Sequence, residues 1–368
     1  MTGFLYLKIL CVITENLIFE SVIILNTKQD MRLLIIGGTG NISTPLTKML
    51  QGKGHDITLF NHDASPPEWL LPEVNVISGE RKNLSLFEKQ IFLRGDYDCV
   101  IDMICFDPED AVIDAAIFKN RTLQFIFCST VDVYPKTAAQ YPINEELEIG
   151  ASPGFEYAWK KVECEKTLWE AHKRSDFQLT VIRPAATYNE SCSPGVHSFG
   201  GQTYHLDRIR KGKPIIMHGD GTSIWIAAYR YDTASAFAGA AGNETAFGQA
   251  YNITGDELMT HNQMWKTIAR VMKAPDPDFV YIPTLVLAKL APAEALWCRE
   301  NFMHNNIFDN SKAKRDLGFR YTLRYEDGVK KCIEYLTAHN LIENCDNYPF
   351  YDQIIQKWKS ALNRLSHE

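Results

Sequence analysis

The sequence of 368 residues lacks several features that would place it in a familiar class of protein. Its nine cysteines are scattered and odd in number, and no two of them form a C-x-x-C pair. This spacing argues against a disulfide framework or a zinc site and favours reduced thiols in the cytoplasm. The histidines show no metal-ligand spacing either, so no metal is predicted. The net charge of −7 argues against neutralisation of nucleic-acid phosphates, so a nucleic-acid partner is not expected.

Residues 1–30 lack the marks of a targeting segment. Residues 4–25 are apolar, but three charged side chains interrupt them, and neither a basic start nor an A-x-A cleavage motif is present. We therefore predict neither a membrane span nor a signal peptide. Because Met31 directly precedes the first predicted strand, residues 1–30 are expected to be an extension outside the fold.

Short β-rich runs alternate with helical stretches between residues 31 and 188, which predicts an α/β fold with a Rossmann-type, doubly wound parallel sheet. A smaller mixed α/β substrate domain is predicted from the looser pattern that follows. The predicted strands cover residues 32–36, 56–60, 74–77, 99–104, 125–128 and 179–182. The predicted division assigns 31–188 and about 222–245 to the dinucleotide-binding domain, 189–221 and 246–340 to the substrate domain, and 341–368 to a helical tail.

The most informative segment joins the first strand to a helix through clustered glycines. Glycine lets the backbone turn tightly and approach a dinucleotide pyrophosphate, while the helix N-terminus offers amide groups and a positive dipole. Ser43 takes the third glycine position of G-x-G-x-x-G, where a small side chain still permits close helix–strand packing. The candidate cofactor ligands in this loop are Gly37, Gly38, Thr39, Gly40, Asn41 and Ile42.

Tyr157 and Lys161 form a Y-x-x-x-K spacing on a predicted helix, so both side chains lie on one face, one turn apart. A phenol ordinarily has a pKa of about 10, and a nearby ammonium together with an oxidised nicotinamide is expected to lower it. Tyr157 would then exchange a proton with a substrate hydroxyl or ketone during hydride transfer. Lys161 is expected to hold the nicotinamide ribose, and Thr130 to hydrogen-bond the same substrate oxygen.

Together these features resemble an extended short-chain dehydrogenase/reductase of the NAD-dependent epimerase/dehydratase type over roughly residues 31–340. The resemblance rests on the glycine loop, the Tyr157/Lys161 pair, Ser129-Thr130, Arg183-Pro184 and two later motifs at 251–255 and 308–318. It implies an NAD(P)-dependent enzyme that acts on a nucleotide-sugar, or a related sugar carbonyl, by reversible hydride transfer. It further implies that Ser129 and Pro184 border the cofactor, and that the chain can form a homodimer.

The resemblance also draws attention to Asp132. In dehydratases and decarboxylases of the family, the position two residues after the catalytic Thr often carries an acid that assists proton transfer. Asp132 is therefore a candidate catalytic residue, with the capping of a following turn as the alternative. Val131 stands where some dehydratases have Asp, which argues against simple 4,6-dehydration.

The choice between NAD and NADP stays open in the sequence. The ribose-binding position after the second strand falls at Asn61-His62, where neither the Asp typical of NAD nor the Arg typical of NADP is present. Asn61 suits a 2′-hydroxyl, His62 or Arg81 can accept a 2′-phosphate, and Glu80 is placed to contact adenine.

Substrate contacts are predicted from the segment after the sixth strand, at Tyr188, Asn189, Tyr204 and Arg208. Basic residues around Arg208 suit recognition of a nucleotide diphosphate, although the same run also fits a solvated helix end.

Two other functions remain open. One is a non-catalytic dinucleotide-sensing or RNA-associated protein of the same fold, since residues 127–135 resemble plastid stem-loop RNA-binding relatives. The other is a reductase of a small non-sugar ketone.

Overall fold

A computed structural model describes residues 30–62 and 67–365 of the chain. The expectation that residues 1–30 form an extension therefore concerns, apart from Asp30, a segment outside the described residues. The strands are β1 (Arg32–Ile36), β2 (Asp56–Asn61), β3 (Asn75–Ser78), β4 (Tyr97–Asp102), β5 (Thr122–Cys128), β6 (Gln178–Pro184), β7 (Ala186–Tyr188), β8 (Ile215–His218), β9 (Ile224–Trp225), β10 (Ala227–Tyr229), β11 (Gln249–Ile253), β12 (Met259–Thr260) and β13 (Phe279–Ile282).

Helices connect and cover these strands. They are α1 (Ser43–Gln51), α2 (Leu84–Ile91), α3 (Pro108–Ile117), α4 (Glu156–Lys173), α5 (Tyr204–Arg210), α6 (Arg230–Ala240), α7 (His261–Val271), α8 (Thr284–Leu290), α9 (Ser311–Leu317), α10 (Tyr325–Ala338) and α11 (Pro349–Leu365). Within residues 30–62 and 67–365, no helix combines the length and apolar character needed to cross a bilayer.

The main sheet has seven parallel strands in the order β11-β6-β5-β4-β1-β2-β3. Strand β1, which lies between β4 and β2, is apolar on both faces because helices cover both sides. Leu33 and Ile35 pack in a core with side chains of α1 and α6, while Leu34 and Ile36 face the opposite core, which includes side chains of α2, α3 and α4. The predicted α/β fold of the Rossmann type is confirmed.

The parallel register brings the ends of four strands to one edge of the sheet. Ile36 of β1 pairs with Asp102 of β4, and Cys128 of β5 pairs with Ile182 of β6. The residues that follow these strands therefore lie side by side at the carboxyl edge, where ligands bind in such sheets. The six predicted strands agree with β1–β6 within a few residues at either end.

The seventh strand of the sheet comes from a segment that the sequence had assigned elsewhere. The predicted division placed residues 246–340 in the substrate domain, whereas β11 pairs with β6 at the edge of the main sheet. Ala313 and Leu317 of α9 join the same core as β1. Sequence reasoning did not predict that the chain comes back to the main sheet at β11. The segment between β6 and β11 contains the short strands β7–β10, whose sequences show no clear hydrophobic periodicity.

The substrate domain is built from paired short strands and helices. β8 pairs with β13, β9 with β12, and β10 with β7. The helical tail predicted at residues 341–368 contains α11, whose Tyr351, Ile354 and Ile355 pack in a core with Phe199 and Tyr204. The tail is therefore part of the packed domain.

Candidate active site

The turn after β1 has glycine at two successive positions, where a side chain would meet close neighbours. Gly37 has a φ of +80°, and a Cβ atom there would lie 2.5 Å from Ile104. A Cβ on Gly38 would lie 2.6 Å from Leu59. Only glycine adopts the left-handed conformation at Gly37 without strain, so the sequence at this turn is fixed by backbone geometry.

Side-chain hydrogen bonds hold this turn in front of α1. The amide of Gly38 donates to Asn61 Oδ1 at 2.9 Å, and the amide of Gly40 donates to Ser43 Oγ at 2.7 Å. Thr39, Gly40 and Asn41 are exposed beyond them. No side chain caps the N-terminus of α1, where Ile42 is the residue before the helix. An uncapped helix start behind an exposed glycine turn fits a dinucleotide pyrophosphate.

One cavity of about 520 Å³ lies at the carboxyl edge of the sheet, and Tyr157 and Lys161 of α4 both line it. The Lys161 side chain is buried, and its Nζ donates to the carbonyl oxygens of Cys105 at 2.9 Å and Cys128 at 2.8 Å. Cys105 follows β4 and Cys128 ends β5, so the backbone at the sheet edge fixes the ammonium group. The phenol and the ammonium thus face one space, as the Y-x-x-x-K spacing predicts.

Thr130 lies beside the phenol, where the chain leaves β5. Its hydroxyl accepts from the amide of Asp132 at 3.2 Å and also hydrogen-bonds Tyr157. Burial raises the pKa of Tyr157 above its ordinary value, the charge of Asp132 raises it further, and the Thr130 hydrogen bond acts in the opposite direction. Lys161 was expected to lower the pKa of Tyr157. In the chain without cofactor the pKa is raised instead, because burial is the largest of these effects.

A buried ion pair holds α4 against the sheet. Arg183 of β6 binds Glu165 of α4 through Nε at 2.9 Å and Nη2 at 2.6 Å, and its Nη1 donates to Tyr134 at 2.7 Å. The Ser129 hydroxyl donates to the same Glu165 at 2.5 Å. Arg183 is therefore structural, and this network fixes the helix that carries Tyr157.

Asp132 lies in the same cavity at the centre of a second polar network. Lys136 Nζ donates to Asp132 Oδ1 at 2.6 Å, to Asn301 Oδ1 at 2.8 Å and to Asn306 Oδ1 at 3.2 Å. Asn301 Nδ2 donates back to Asp132 Oδ1 at 3.0 Å. The network joins the end of β5 to the substrate domain. Sequence reasoning missed Lys136, Asn301 and Asn306, because no spacing links residues so far apart in the chain.

Aromatic side chains of the substrate domain form the facing wall of the cavity, and sequence reasoning did not predict them as site residues. The ring of Trp297 lies 5.5 Å from the ring of Tyr157 and packs edge-on against Phe155 at 4.9 Å. A π-helical turn at Cys298–Phe302 follows, and such turns often occur at functional sites. Phe302 and Phe308 line the same wall.

With this geometry, the chain can be compared with known proteins. A family model described as "NAD dependent epimerase/dehydratase family" matches residues 33–254. The chain belongs to this family. The predicted family is thus confirmed, and with it an NAD(P)-dependent enzyme of the extended short-chain dehydrogenase type.

Individual relatives of this family member are distant. The chain is 26% identical over 270 residues to the chloroplast stem-loop binding protein of 41 kDa b from Arabidopsis thaliana, covering 70% of this chain and 67% of that protein. It is 23% identical over 253 residues to 2′-dehydrokanamycin reductase from Streptomyces kanamyceticus, covering 67% and 68% respectively. These relatives differ in their named roles, so the family does not by itself select a substrate.

Solved structures of epimerases and dehydratases share the fold. UDP-glucose 4-epimerase from Thermotoga maritima, solved with UDP-glucose, has a TM-score of 0.65 at 22% identity and covers 84% of this chain and 100% of its own. dTDP-glucose 4,6-dehydratase from Bacillus anthracis, solved with NAD, has a TM-score of 0.66 at 18% identity and covers 84% and 97%. At these identities the likeness establishes the fold.

The structure brings eight of the twenty residues that the sequence proposed for the active site of this family member into one cavity. They come from the glycine loop, from the ends of β5 and β6, and from α4. Lining the one cavity are Asn41, Ile42, Ser129, Thr130, Asp132, Tyr157, Lys161 and Pro184.

The residues proposed for the adenosine end divide into buried and exposed groups. Asn61 is buried and commits its Oδ1 to the glycine turn. Arg81 is 7% exposed, and its Nη2 lies 2.8 Å from Asp102 and 2.6 Å from Asp114. Arg81 is therefore a structural ion-pair partner and not a ligand for a 2′-phosphate. His62 and Glu80 are exposed at the ends of β2 and β3 and lie 3.9 Å apart.

The four residues predicted to contact the substrate do not line the cavity. Tyr188 and Tyr204 are buried in the cores of the substrate domain. Arg208 is fully buried, where it donates to Asp352 at 2.7 Å and lies over the ring of Tyr351. Asn189 remains near the site, because its Nδ2 donates to Asn41 of the glycine loop at 2.8 Å. The predicted substrate contacts at Tyr188, Tyr204 and Arg208 are therefore replaced by packing roles.

Proposed function

We propose that this chain catalyses reversible hydride transfer between a nicotinamide cofactor and a carbinol or carbonyl carbon of a sugar. One observation carries the proposal: Tyr157, Lys161 and Thr130 line the same cavity as Asn41 and Ile42 of the glycine loop. A proton-transfer group, its hydrogen-bond partner and the cofactor-binding turn then act on one small volume.

The residues of the chain have separate roles in this reaction. A nicotinamide cofactor held by the glycine loop and Lys161 would supply or accept the hydride. Tyr157 takes the proton from the substrate hydroxyl during oxidation and returns it to the oxygen during reduction. Thr130 orients that oxygen by a hydrogen bond, and Lys161 would hold the cofactor ribose. Oxidation at one carbon acidifies the neighbouring C–H bonds, and Asp132 in the same cavity is placed to move a proton there during epimerisation or dehydration.

The proposed cofactor is NAD. The uncapped start of α1 suits its pyrophosphate, and the described groups exposed at the ends of β2 and β3 include the carboxylate of Glu80. A carboxylate in this region favours a ribose hydroxyl over a 2′-phosphate, and Arg81 is held by two carboxylates.

We also propose a cytoplasmic location, which the free thiols of the eight described cysteines support. Homodimer formation stays a prediction.

The test is removal of the phenol hydroxyl by Tyr157→Phe. NADH formation is followed with a panel of free sugars, cyclitols and nucleotide-sugars. Turnover is expected to fall by at least about 100-fold, the contribution typical of a positioned acid/base group, while NAD affinity is retained. Tyr335→Phe, which removes a hydroxyl from an exposed ring of α10, is the matched control and keeps full activity. Full turnover by Tyr157→Phe contradicts the proposal.

The alternative of an RNA-associated protein is supported by the named role of the Arabidopsis relative. It is distinguished by titrating a structured stem-loop RNA into the wild-type chain in the same buffer. Binding of that RNA without turnover of any compound in the panel favours this alternative. Turnover of a simple ketone in preference to every sugar favours the small-ketone reductase.

A further inference from the structure

We infer that the sugar accepted at this site carries no nucleoside diphosphate, and that the cavity takes an uncharged polyhydroxyl compound such as a free sugar or a cyclitol. The inference rests on the proposed function and concerns which sugar compounds reach Tyr157. It follows from where the cations of the substrate domain lie, from what lines the cavity, and from its size.

The basic residues expected to meet a diphosphate are already paired with acids. Arg208 is buried against Asp352, and Arg210 binds Asp207 at 2.5 Å. Lys211 and Lys213 both bind Asp346, at 2.8 and 2.6 Å. Three of these four ion pairs are made with acids of the C-terminal tail, outside the cavity. Arg208 is fully buried, so opening its pair with Asp352 would leave the guanidinium in the core without its partner.

The cavity itself offers a diphosphate little compensation. Among its described lining residues, Lys161 is the one with a cationic side chain, and its ammonium already donates to two backbone carbonyls. Lys136, behind the lining, donates to three oxygen atoms, on Asp132, Asn301 and Asn306. Asp132 lines the cavity, and its carboxylate already takes the charge of Lys136, so neither group is left to bind a phosphate. Burying an anion without counter-charges is strongly unfavourable, so a diphosphate does not fit here.

The same lining suits a neutral sugar. Thr130, Asp132, Asn301 and Asn306 present hydroxyl, carboxylate and amide groups near Tyr157, and these can hydrogen-bond several hydroxyls at once. Trp297 and its aromatic neighbours supply an apolar face opposite, against which the C–H groups of a sugar ring can pack. The volume of about 520 Å³ must hold the nicotinamide end of the cofactor as well, which leaves room for a small substrate.

The direct test is a calorimetric titration of UDP into the wild-type chain saturated with NAD, so that the dinucleotide site is filled. We expect no binding at about 1 mM UDP. In parallel, kcat/KM is compared for D-glucose, D-galactose and myo-inositol against UDP-glucose, UDP-galactose and dTDP-glucose, and the uncharged compounds are expected to be preferred. UDP binding with a Kd below about 100 μM, or preference for a nucleotide-sugar over its free sugar, overturns the inference.

Two tryptophans that are both 37% exposed provide a matched pair of variants. Trp297→Ala removes the ring beside Tyr157 and is expected to raise KM for the preferred free sugar by about tenfold, the loss typical of an aromatic residue that a ligand covers. Trp159→Ala changes a residue of α4 outside the cavity lining and leaves KM unchanged. Equal KM values for both variants contradict the aromatic wall as a sugar contact. UDP binding overturns the substrate inference alone, whereas turnover retained by Tyr157→Phe overturns the proposed function instead.

Discussion

The substrate domain contains four buried histidines, and their burial makes its stability sensitive to acid. They form two close pairs, His197 with His205 and His218 with His261, and the ring centroids in each pair lie 4.4 Å apart. All four are at most 2% exposed. Burial lowers the pKa of His197 to about 3 and that of His218 to about 4, because the charged imidazolium is poorly solvated in the core. The pKa values of His205 and His261 are also well below the ordinary value.

The sign of the pH dependence follows from these directions. An unfolded histidine has a pKa of about 6.5 and takes up a proton below that pH, whereas the folded protein keeps these rings neutral. The stabilisation from neutral burial is therefore present at pH 8 and lost as the pH falls below about 6.5. At pH 5, linkage gives a loss of about 2 kcal/mol each for His197 and His218, or about 4 kcal/mol together. That is a large part of an ordinary folding free energy of about 5–15 kcal/mol.

The measurement is urea unfolding at pH 8 and pH 5, with the variant His218→Asn isolating one histidine from the carboxylates that also titrate. The difference in unfolding free energy between the two pH values should be about 2 kcal/mol smaller in this variant than in the wild type. The control is His339→Asn, at an exposed position, which should keep the wild-type difference. An unchanged difference in His218→Asn would refute the reasoning.

Two further predictions concern cationic side chains, namely a lysine of the cavity and a buried arginine. Lys161→Met should lower kcat/KM by at least about 100-fold in the NADH assay. The control is Lys160→Met, which removes an ammonium paired with Asp107 and Glu156 and should change kcat/KM by less than about twofold. Equal effects of the two substitutions would contradict the assignment of Lys161. Arg81→Met should lower the free energy of unfolding, measured in urea, by about 3–5 kcal/mol, because Asp102 and Asp114 lose their buried partner. The ratio of NAD to NADP affinity should stay unchanged. A changed ratio without loss of stability would show that Arg81 is a cofactor ligand.

The sequence predicts the dinucleotide-binding half of this protein well, because local rules determine it. Gly37 is required by the left-handed turn itself, and the positions of Tyr157 and Lys161 follow from the period of one helix. Strands buried on both faces are recognisable from their composition alone, as in β1. In this half of the protein, each functional residue lies within a few residues in sequence of the strand or helix that holds it in place.

The other wall of the cavity could not be predicted in this way, because its residues are selected by contacts between distant segments. Lys136 reaches Asn301 and Asn306 across 165 and 170 positions of the chain. Arg208 has the charge expected of a phosphate ligand, but whether that charge is available depends on Asp352, which is 144 positions away on α11. A basic residue in a sequence marks a phosphate site only if no acid of the folded chain reaches it first. In this protein Asp346 and Asp352 of the C-terminal tail pair with Arg208, Lys211 and Lys213. The cavity is therefore left with aromatic and uncharged polar groups around one carboxylate, Asp132, and one ammonium, Lys161.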